Sequence, residues 1–95
     1  MKSIRWSTQA SKQLFAAYQF IFKENPPAAA KQTKKILQAV EQLVDFPEMG
    51  RPGRISNTRE LVIAGTPYVV AYRLKGATVR ILALLHGARR WPTQL

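Results

Sequence analysis

The feature that most constrains the fold is a change of hydrophobic period near the middle of the chain. From residue 10 to residue 45, apolar residues recur every three or four positions, which is the spacing of one helix face. After residue 58 they alternate with polar residues, as in half-buried strands. The segment between, FPEMGRPGRISNT, holds two prolines and two glycines and is predicted to be an exposed loop carrying Arg51 and Arg54. The chain is therefore expected to pack helices against a sheet.

The first half predicts one strand followed by two helices. Residues Lys2 to Trp6 alternate in polarity and are predicted to form the strand, and Ser7 is placed to cap the first helix. The apolar stripe of that helix is formed by Leu14, Ala17, Tyr18, Ile21 and Phe22. The prolines after Asn25 end this helix and suit the first turn of the next, which closes before Pro47. The stripe of the second helix is formed by Ala30, Thr33, Leu37, Val40 and Val44, with Ile36 and Leu43 beside it.

The second half predicts three strands, over residues Arg59 to Ala64, Tyr68 to Leu74 and Thr78 to His86. The connections between them are short enough for hairpins. Because the last strand is apolar on both faces apart from Arg80, it is expected to lie centrally in its sheet. The predicted fold class is α+β, with an N-terminal strand and an antiparallel two-helix hairpin packed on a mostly antiparallel four-stranded sheet. The length allows a single domain over residues 1–95.

Charge indicates the kind of partner. The chain carries 15 Lys and Arg against five Asp and Glu, a net charge of +10, and no acidic residue follows Glu60. A domain polarised in this way is expected to bind an anionic ligand or an acidic partner, although solubility alone is the alternative interpretation. The sign of the charge does not distinguish DNA, RNA, ribosome and acidic protein.

Composition excludes several other classes. The absence of cysteine excludes disulfides and thiolate chemistry, and one histidine with scattered carboxylates predicts no metal site and no cofactor. No membrane-spanning stretch and no signal-like apolar segment at the start are found, so a cytoplasmic location without membrane contact is expected.

The segment after the last strand holds the clearest candidate functional residues. Arg89, Arg90 and Trp91 are of the types that anchor interfaces and bind phosphate. The alternative is that Trp91 folds back over the helices and the arginines are merely solvated. His86 has no nucleophile or acid near it in the sequence, so a structural role is predicted. The aromatic residues Tyr18, Phe22, Tyr68 and Tyr72 are expected to belong to the core rather than to a base-stacking platform.

Several segments, taken in order, carry a family resemblance. These are Trp6-Ser7, the helical hairpin, residues 46–52, Arg59-Glu60-Leu61, residues 68–73 and residues 85–89. With them the chain resembles toxins of the RelE/ParE superfamily, the small basic partners in bacterial type II toxin–antitoxin pairs. The resemblance implies the fold derived above, an acidic antitoxin that wraps the toxin, a hetero-oligomer with that antitoxin on operator DNA, and a role such as plasmid stabilization.

The superfamily contains two mechanisms. RelE-type toxins cleave mRNA in the ribosomal A site with basic residues on the middle strands, a late arginine, and a tyrosine or histidine near the C-terminus. Here Glu60, Leu61 and Val62 stand where lysines are usual, and Val69 stands where an arginine follows the tyrosine. The resemblance is thus closer to the ParE type, which inhibits DNA gyrase by binding and would need no catalytic residue. The alternatives are a RelE-like ribonuclease using Arg89 and His86, and an inactive domain that only binds its antitoxin.

Site residues are assigned on this basis. The residues expected to bind the target are Arg89, Arg90, Trp91, Arg59 and Arg73. The residues expected to bind the antitoxin are Leu14, Tyr18 and Phe22 on the first helix, together with Arg80.

Overall fold

The computed structural model describes residues 2–93 and 95, so Met1 and Gln94 of the predicted 1–95 domain lie outside the described residues. The helices are α1 (Thr8–Phe22) and α2 (Pro26–Glu41), followed by a 3-10 turn, Gln42–Val44. The strands are β1 (Ser3–Trp6), β2 (Arg51–Pro52), β3 (Arg59–Val62), β4 (Tyr68–Lys75) and β5 (Thr78–His86). They form one sheet in the order β1-β5-β4-β3-β2. The predicted α+β architecture is confirmed.

The helix starts follow from local capping chemistry. The Ser7 side chain accepts a hydrogen bond of 2.9 Å from the Ala10 N–H, as predicted. The Asn25 side chain does the same for the Ala28 N–H at 3.1 Å, and Pro26 opens α2. With only residues 23–25 between them, the two helices are packed as neighbours. None of the described helices is both long and apolar enough to cross a bilayer.

The buried face of α2 differs from the predicted stripe. The residues of α2 and the following turn that enter the core are Ala29, Ile36, Val40 and Leu43, whereas Leu37 is 44% exposed. Two apolar stripes run side by side on this helix, and the one that carries Ile36 and Leu43 packs against the sheet. The other stripe, with Ala30 and Leu37, is left at the surface.

The sheet has five strands rather than four. β2 lies inside the predicted loop, where Arg51 and Pro52 pair with Glu60 and Arg59. Proline is tolerated there because β2 is an edge strand. β1 pairs with β5 in parallel, and the other neighbours are antiparallel. β5 lies between β1 and β4, which confirms the expectation from its apolar sequence.

The two faces of the sheet have different roles. Val70, Tyr72, Val79 and Ile81 belong to the core beneath the helices. Since side chains alternate along a strand, their neighbours point to the opposite side, which we call the open face. Its charged residues are Arg5, Arg51, Glu60, Arg73, Lys75 and Arg80. Tyr72 is completely buried, as expected of a core residue, but the prediction was wrong for Phe22, which is 46% exposed.

Candidate functional site

A buried carboxylate organises one end of the open face. Glu60 is only 4% exposed. Its Oε1 accepts hydrogen bonds from Nε and Nη2 of Arg51 at 3.1 and 3.0 Å. Its Oε2 accepts the backbone N–H of Arg54 at 2.9 Å, and the Arg54 Nε lies 3.8 Å away. The charge of Glu60 is thus compensated by two arginines, as a buried carboxylate requires.

The side chain of Arg54 also contacts the C-terminal segment. The guanidinium carbon of Arg54 lies 3.7 Å from the centroid of the Trp91 ring, in cation–π geometry. The Trp91 Nε1–H donates to the carbonyl of His86 at 3.2 Å, and the backbone N–H of Arg89 donates to the same oxygen at 3.1 Å. Trp91 therefore folds back, but it is half-buried and lies outside the core cluster. Arg89 and Arg90 are exposed.

His86 closes β5 through packing and local hydrogen bonds. Its ring meets the Tyr68 ring edge-on, with the centroids 5.6 Å apart. Its Nδ1 accepts the Ala88 N–H at 3.2 Å, and the next N–H, from Gly87, donates to the carbonyl of Pro67 at 2.8 Å. These contacts hold the turn that carries Arg89, Arg90 and Trp91.

This turn forms one wall of a cleft with α1, which we call the C-terminal cleft. Arg89, Arg90 and Trp91 line one side, and Gln13 and Phe20 of α1 line the other. The Gln13 side-chain oxygen accepts the Leu84 N–H at 2.8 Å, which satisfies the edge of β5 beyond the end of β1. Phe20 is 70% exposed, so the cleft presents an aromatic ring together with two exposed arginines.

Arg59 lies away from this cleft. Its Nη1 donates to the carbonyls of Glu48 and Gly50, at 3.2 and 2.8 Å, and so holds the turn before β2. The buried hydroxyl of Tyr72 completes this contact by accepting the Gly50 N–H at 2.9 Å and donating to the Pro47 carbonyl at 2.8 Å. Burial raises the pKa of Tyr72, which keeps the phenol protonated and able to donate. A Cβ at position 50 would stand 2.6 Å from the Tyr72 hydroxyl oxygen, so glycine is required there.

The remaining predicted residues fall in two other places. Arg73 lies directly opposite Arg80 across β4 and β5, on the open face. Leu14, Tyr18 and Phe22 lie on α1, where the Tyr18 and Phe22 rings are 5.4 Å apart between centroids. The structure thus groups Arg89, Arg90 and Trp91, and separates them from Arg59 and Arg73. It likewise separates Arg80 from the three α1 residues.

Two apolar surfaces were not predicted from the sequence. One is an apolar groove lined by Tyr18 of α1 and by Ala30, Thr33 and Leu37 of α2. Its signal in the sequence was the predicted apolar stripe of α2, of which Ala30, Thr33 and Leu37 lie at this groove. The other is the pair Phe46 and Met49, both exposed on the turn that Tyr72 and Arg59 hold.

The fold defines a class: a small basic domain whose two-helix hairpin covers one face of a mixed sheet. Residues 4–91 match the family described as "ParE toxin of type II toxin-antitoxin system, parDE", and the chain belongs to that family. The membership predicted from the sequence is thereby confirmed. The protein is a toxin of a type II toxin–antitoxin system, and the family implies an antitoxin partner.

Individual relatives agree with this membership. The chain is 43% identical over 94 residues to "Putative toxin Y4kP" of Sinorhizobium fredii (strain NBRC 101917 / NGR234), a match that covers 99% of this chain and 97% of the relative. It is 32% identical over 89 residues to "Toxin RelE2" of Caulobacter vibrioides, covering 94% and 99%.

Solved structures give the same fold. A chain of the chromosomal ParDE toxin–antitoxin system from P. aeruginosa superposes with a TM-score of 0.83 at 28% identity, covering 90% of this chain and 96% of that one. A mutant of YafQ from E. coli superposes with a TM-score of 0.65 at 16% identity, covering 93% and 96%. At that identity, the second likeness concerns the fold alone.

Proposed function

We propose that this toxin acts by binding DNA gyrase rather than by cleaving RNA. The observation that carries this proposal is the placement of Glu60. The carboxylate stands on a middle strand where the ribonucleases of the superfamily carry a lysine, and it binds both nearby arginines, Arg51 and Arg54. Stabilising the transition state of phosphodiester cleavage requires positive groups aimed at the phosphate. Here Arg51 and Arg54 are directed at Glu60 instead.

The C-terminal cleft has the composition of a protein-binding surface. Interface hot spots are enriched in tryptophan and arginine. Trp91 is fixed by Arg54 and by the carbonyl of His86, so little side-chain entropy remains to be lost on binding. Arg89 and Arg90 are exposed beside it, and Phe20 faces them. We assign the gyrase contact to this cleft.

The antitoxin is assigned to the helical side of the molecule. The apolar groove between Tyr18 and Leu37 fits the apolar stripe of a helix, with Lys34 on its rim for an acidic side chain. The net charge of +10 is expected to steer an acidic partner, with association slowing as salt rises.

The test is inhibition of plasmid supercoiling by purified gyrase. Arg89→Ala and Trp91→Ala should each weaken inhibition by about fivefold or more, since hot-spot truncations cost about 1–3 kcal/mol. Lys31→Ala is the matched control for Arg89, because it removes one exposed positive charge from α2. It should change inhibition by less than about twofold, the effect of a neutral surface contact.

A ribosome-dependent ribonuclease is the second candidate, because Arg89 and His86 lie within one turn, joined by the hydrogen bond from the Arg89 N–H. Cuts in translated mRNA at fixed codon positions after induction, with supercoiling unaffected, would establish this activity and overturn the gyrase proposal. If induction causes no toxicity, with neither gyrase inhibition nor mRNA cleavage, and antitoxin binding is intact, the chain would be a domain that only binds its antitoxin.

A further inference from the structure

Three arginines stand side by side across the open face. Arg5 of β1 is in register with Arg80 of β5, and Arg80 is in register with Arg73 of β4. We call these three residues the arginine row. Because neighbouring strands are about 4.8 Å apart, the row spans about 10 Å. Lys75 of β4 and Thr78 of β5 form the next pair on this face, two residues further along the strands, and Lys75 extends the basic surface.

In the part of the chain that the structure describes, no carboxylate lies within ion-pair distance of the row. Among the described residues, the ion pairs join only Arg51 and Arg54 to Glu60. No Asp or Glu occurs in β1, β4 or β5. Like charges directly opposite each other destabilise a sheet, and here two such pairs share Arg80. An anionic ligand on the row would offset this repulsion.

The surroundings favour phosphate over a protein partner. Arg5, Lys75, Thr78 and Arg80 border one depression in the surface. The hydroxyls of Ser3 and Thr78 lie 3.4 Å apart beside it. The exposed large apolar side chains lie elsewhere: on α1, on α2, at residues 46 and 49, at Val62 and at Leu95. A protein interface needs apolar anchors, whereas a phosphate backbone is held by cations and hydroxyls alone.

The aromatic residues decide between single and double strands. Proteins that bind single strands stack bases on exposed aromatic rings. Trp6 and Tyr72 point to the core side of the sheet, and Tyr68 lies at the far end of β4. A flat row of charges without a stacking ring fits the backbone of a duplex. We propose that the arginine row, with Lys75, binds the phosphate backbone of duplex DNA without reading its sequence.

This surface is separate from the C-terminal cleft. The row lies near the start of β5, and the cleft lies beyond its end at His86. Bound DNA would therefore leave Arg89, Arg90 and Trp91 free. The inference goes beyond the gyrase proposal and does not depend on it.

The test is the affinity of the purified chain for a short fluorescent duplex DNA, measured by anisotropy over a range of salt concentrations. The row variant carries Arg5→Gln, Arg73→Gln and Arg80→Gln. The control carries Lys12→Gln, Lys23→Gln and Lys31→Gln, three exposed lysines on the two helices and the turn between them. Both variants reduce the net charge from +10 by three, to +7. The row variant should lose about tenfold or more in affinity, and its slope of log affinity against log salt should fall by about 2–3, since each phosphate contact contributes about 0.9.

The control should lose less than about threefold in affinity and keep most of its slope of log affinity against log salt, since charges outside the binding site contribute little. Circular dichroism checks that each variant is folded, and Arg80→Lys, which keeps the charge, should bind DNA nearly as the unaltered chain does.

Equal losses in the row variant and the control would overturn the site. Tighter binding of duplex RNA or of single strands would overturn the choice of duplex DNA. Lost binding of an acidic polyglutamate peptide with DNA binding unchanged would assign the row to an acidic protein instead. Each of these failures leaves the gyrase proposal standing, because that proposal is tested through Arg89 and Trp91.

Discussion

The open face carries arginines at both of its ends, and the two ends differ in how the charge is balanced. At the end near the C-terminal segment, Arg51 and Arg54 share the buried carboxylate of Glu60, and Arg54 also lies against Trp91. At the other end, no carboxylate among the described residues forms an ion pair with the arginine row. The first end uses its charge to hold the fold together. The second end presents its charge to a ligand.

The order of the chain explains the difference. All five acidic residues lie at or before Glu60, and β4 and β5 follow it. Strand β3 therefore brings the last available carboxylate to the sheet, next to β2 and the loop that holds Arg54. The strands beyond it have arginine and lysine at open-face positions and no acid with which to pair.

The largest effect that distinguishes the two ends is expected at the carboxylate. Glu60→Gln removes the negative charge between Arg51 and Arg54, and should lower the free energy of unfolding by about 2–3 kcal/mol. Urea denaturation would measure it. Glu41→Gln, at an exposed position near the end of α2, is the control and should stay within about 0.5 kcal/mol. If Glu60→Gln lowers the free energy of unfolding as little as the control does, the charge of Glu60 does not stabilise this end of the open face, and the two ends do not differ in this respect.

A smaller effect is expected between Arg54 and Trp91. A double-mutant cycle with Arg54→Ala and Trp91→Ala should give a coupling energy of about 1 kcal/mol, as cation–π contacts do. Thermal or urea unfolding of the four proteins provides the measurement. Additive single effects would mean that Trp91 is held by its hydrogen bond to His86 and not by the arginine.

The smallest effect has the opposite sign. Arg80→Gln removes the middle charge of the arginine row, and should raise the free energy of unfolding by about 0.5 kcal/mol at low salt. The gain should shrink as salt screens the repulsion. Arg51→Gln, made at the other end, should instead destabilise the protein because it removes a partner of Glu60. If both substitutions destabilise the protein to the same degree in urea, the row is not under repulsion.

Much of the fold could be predicted because its signals are local. The Ser7 cap and the bounds of β5 were found as predicted, since each depends on residues close together in the chain. The buried face of α2 was not found as predicted. The stripe with Ala30 and Leu37 and the stripe with Ala29 and Ile36 are both apolar, and only packing against the sheet determines which of them is buried. Strand β2 was missed because two residues between Gly50 and Gly53, one of them a proline, are too short to show a period.

The sites were harder to predict because they depend on distant contacts. From the sequence, Glu60 could be recognised only as a missing lysine, since nothing local shows that a loop returns Arg51 and Arg54 to it. The arginine row follows from strand register, which joins Arg5 to a residue 75 positions later. Arg89, Arg90 and Trp91 lie together because they are adjacent in the chain, whereas Arg59 and Arg73, which were predicted to act with them, lie elsewhere.

The parallel pairing of β1 with β5 has a consequence for how the molecule is made. Ser3 to Trp6 hydrogen-bond to Thr78 to Ile81, so the first strand synthesised has no sheet partner until the last strand has emerged. Contacts of such long sequence separation form slowly, because a large loop must close before they stabilise the chain. Until β5 has emerged, a nascent chain therefore holds Ile4 and Trp6 without their sheet neighbours Val79 and Ile81. Its cross-strand basic surface is assembled only in the final step of folding.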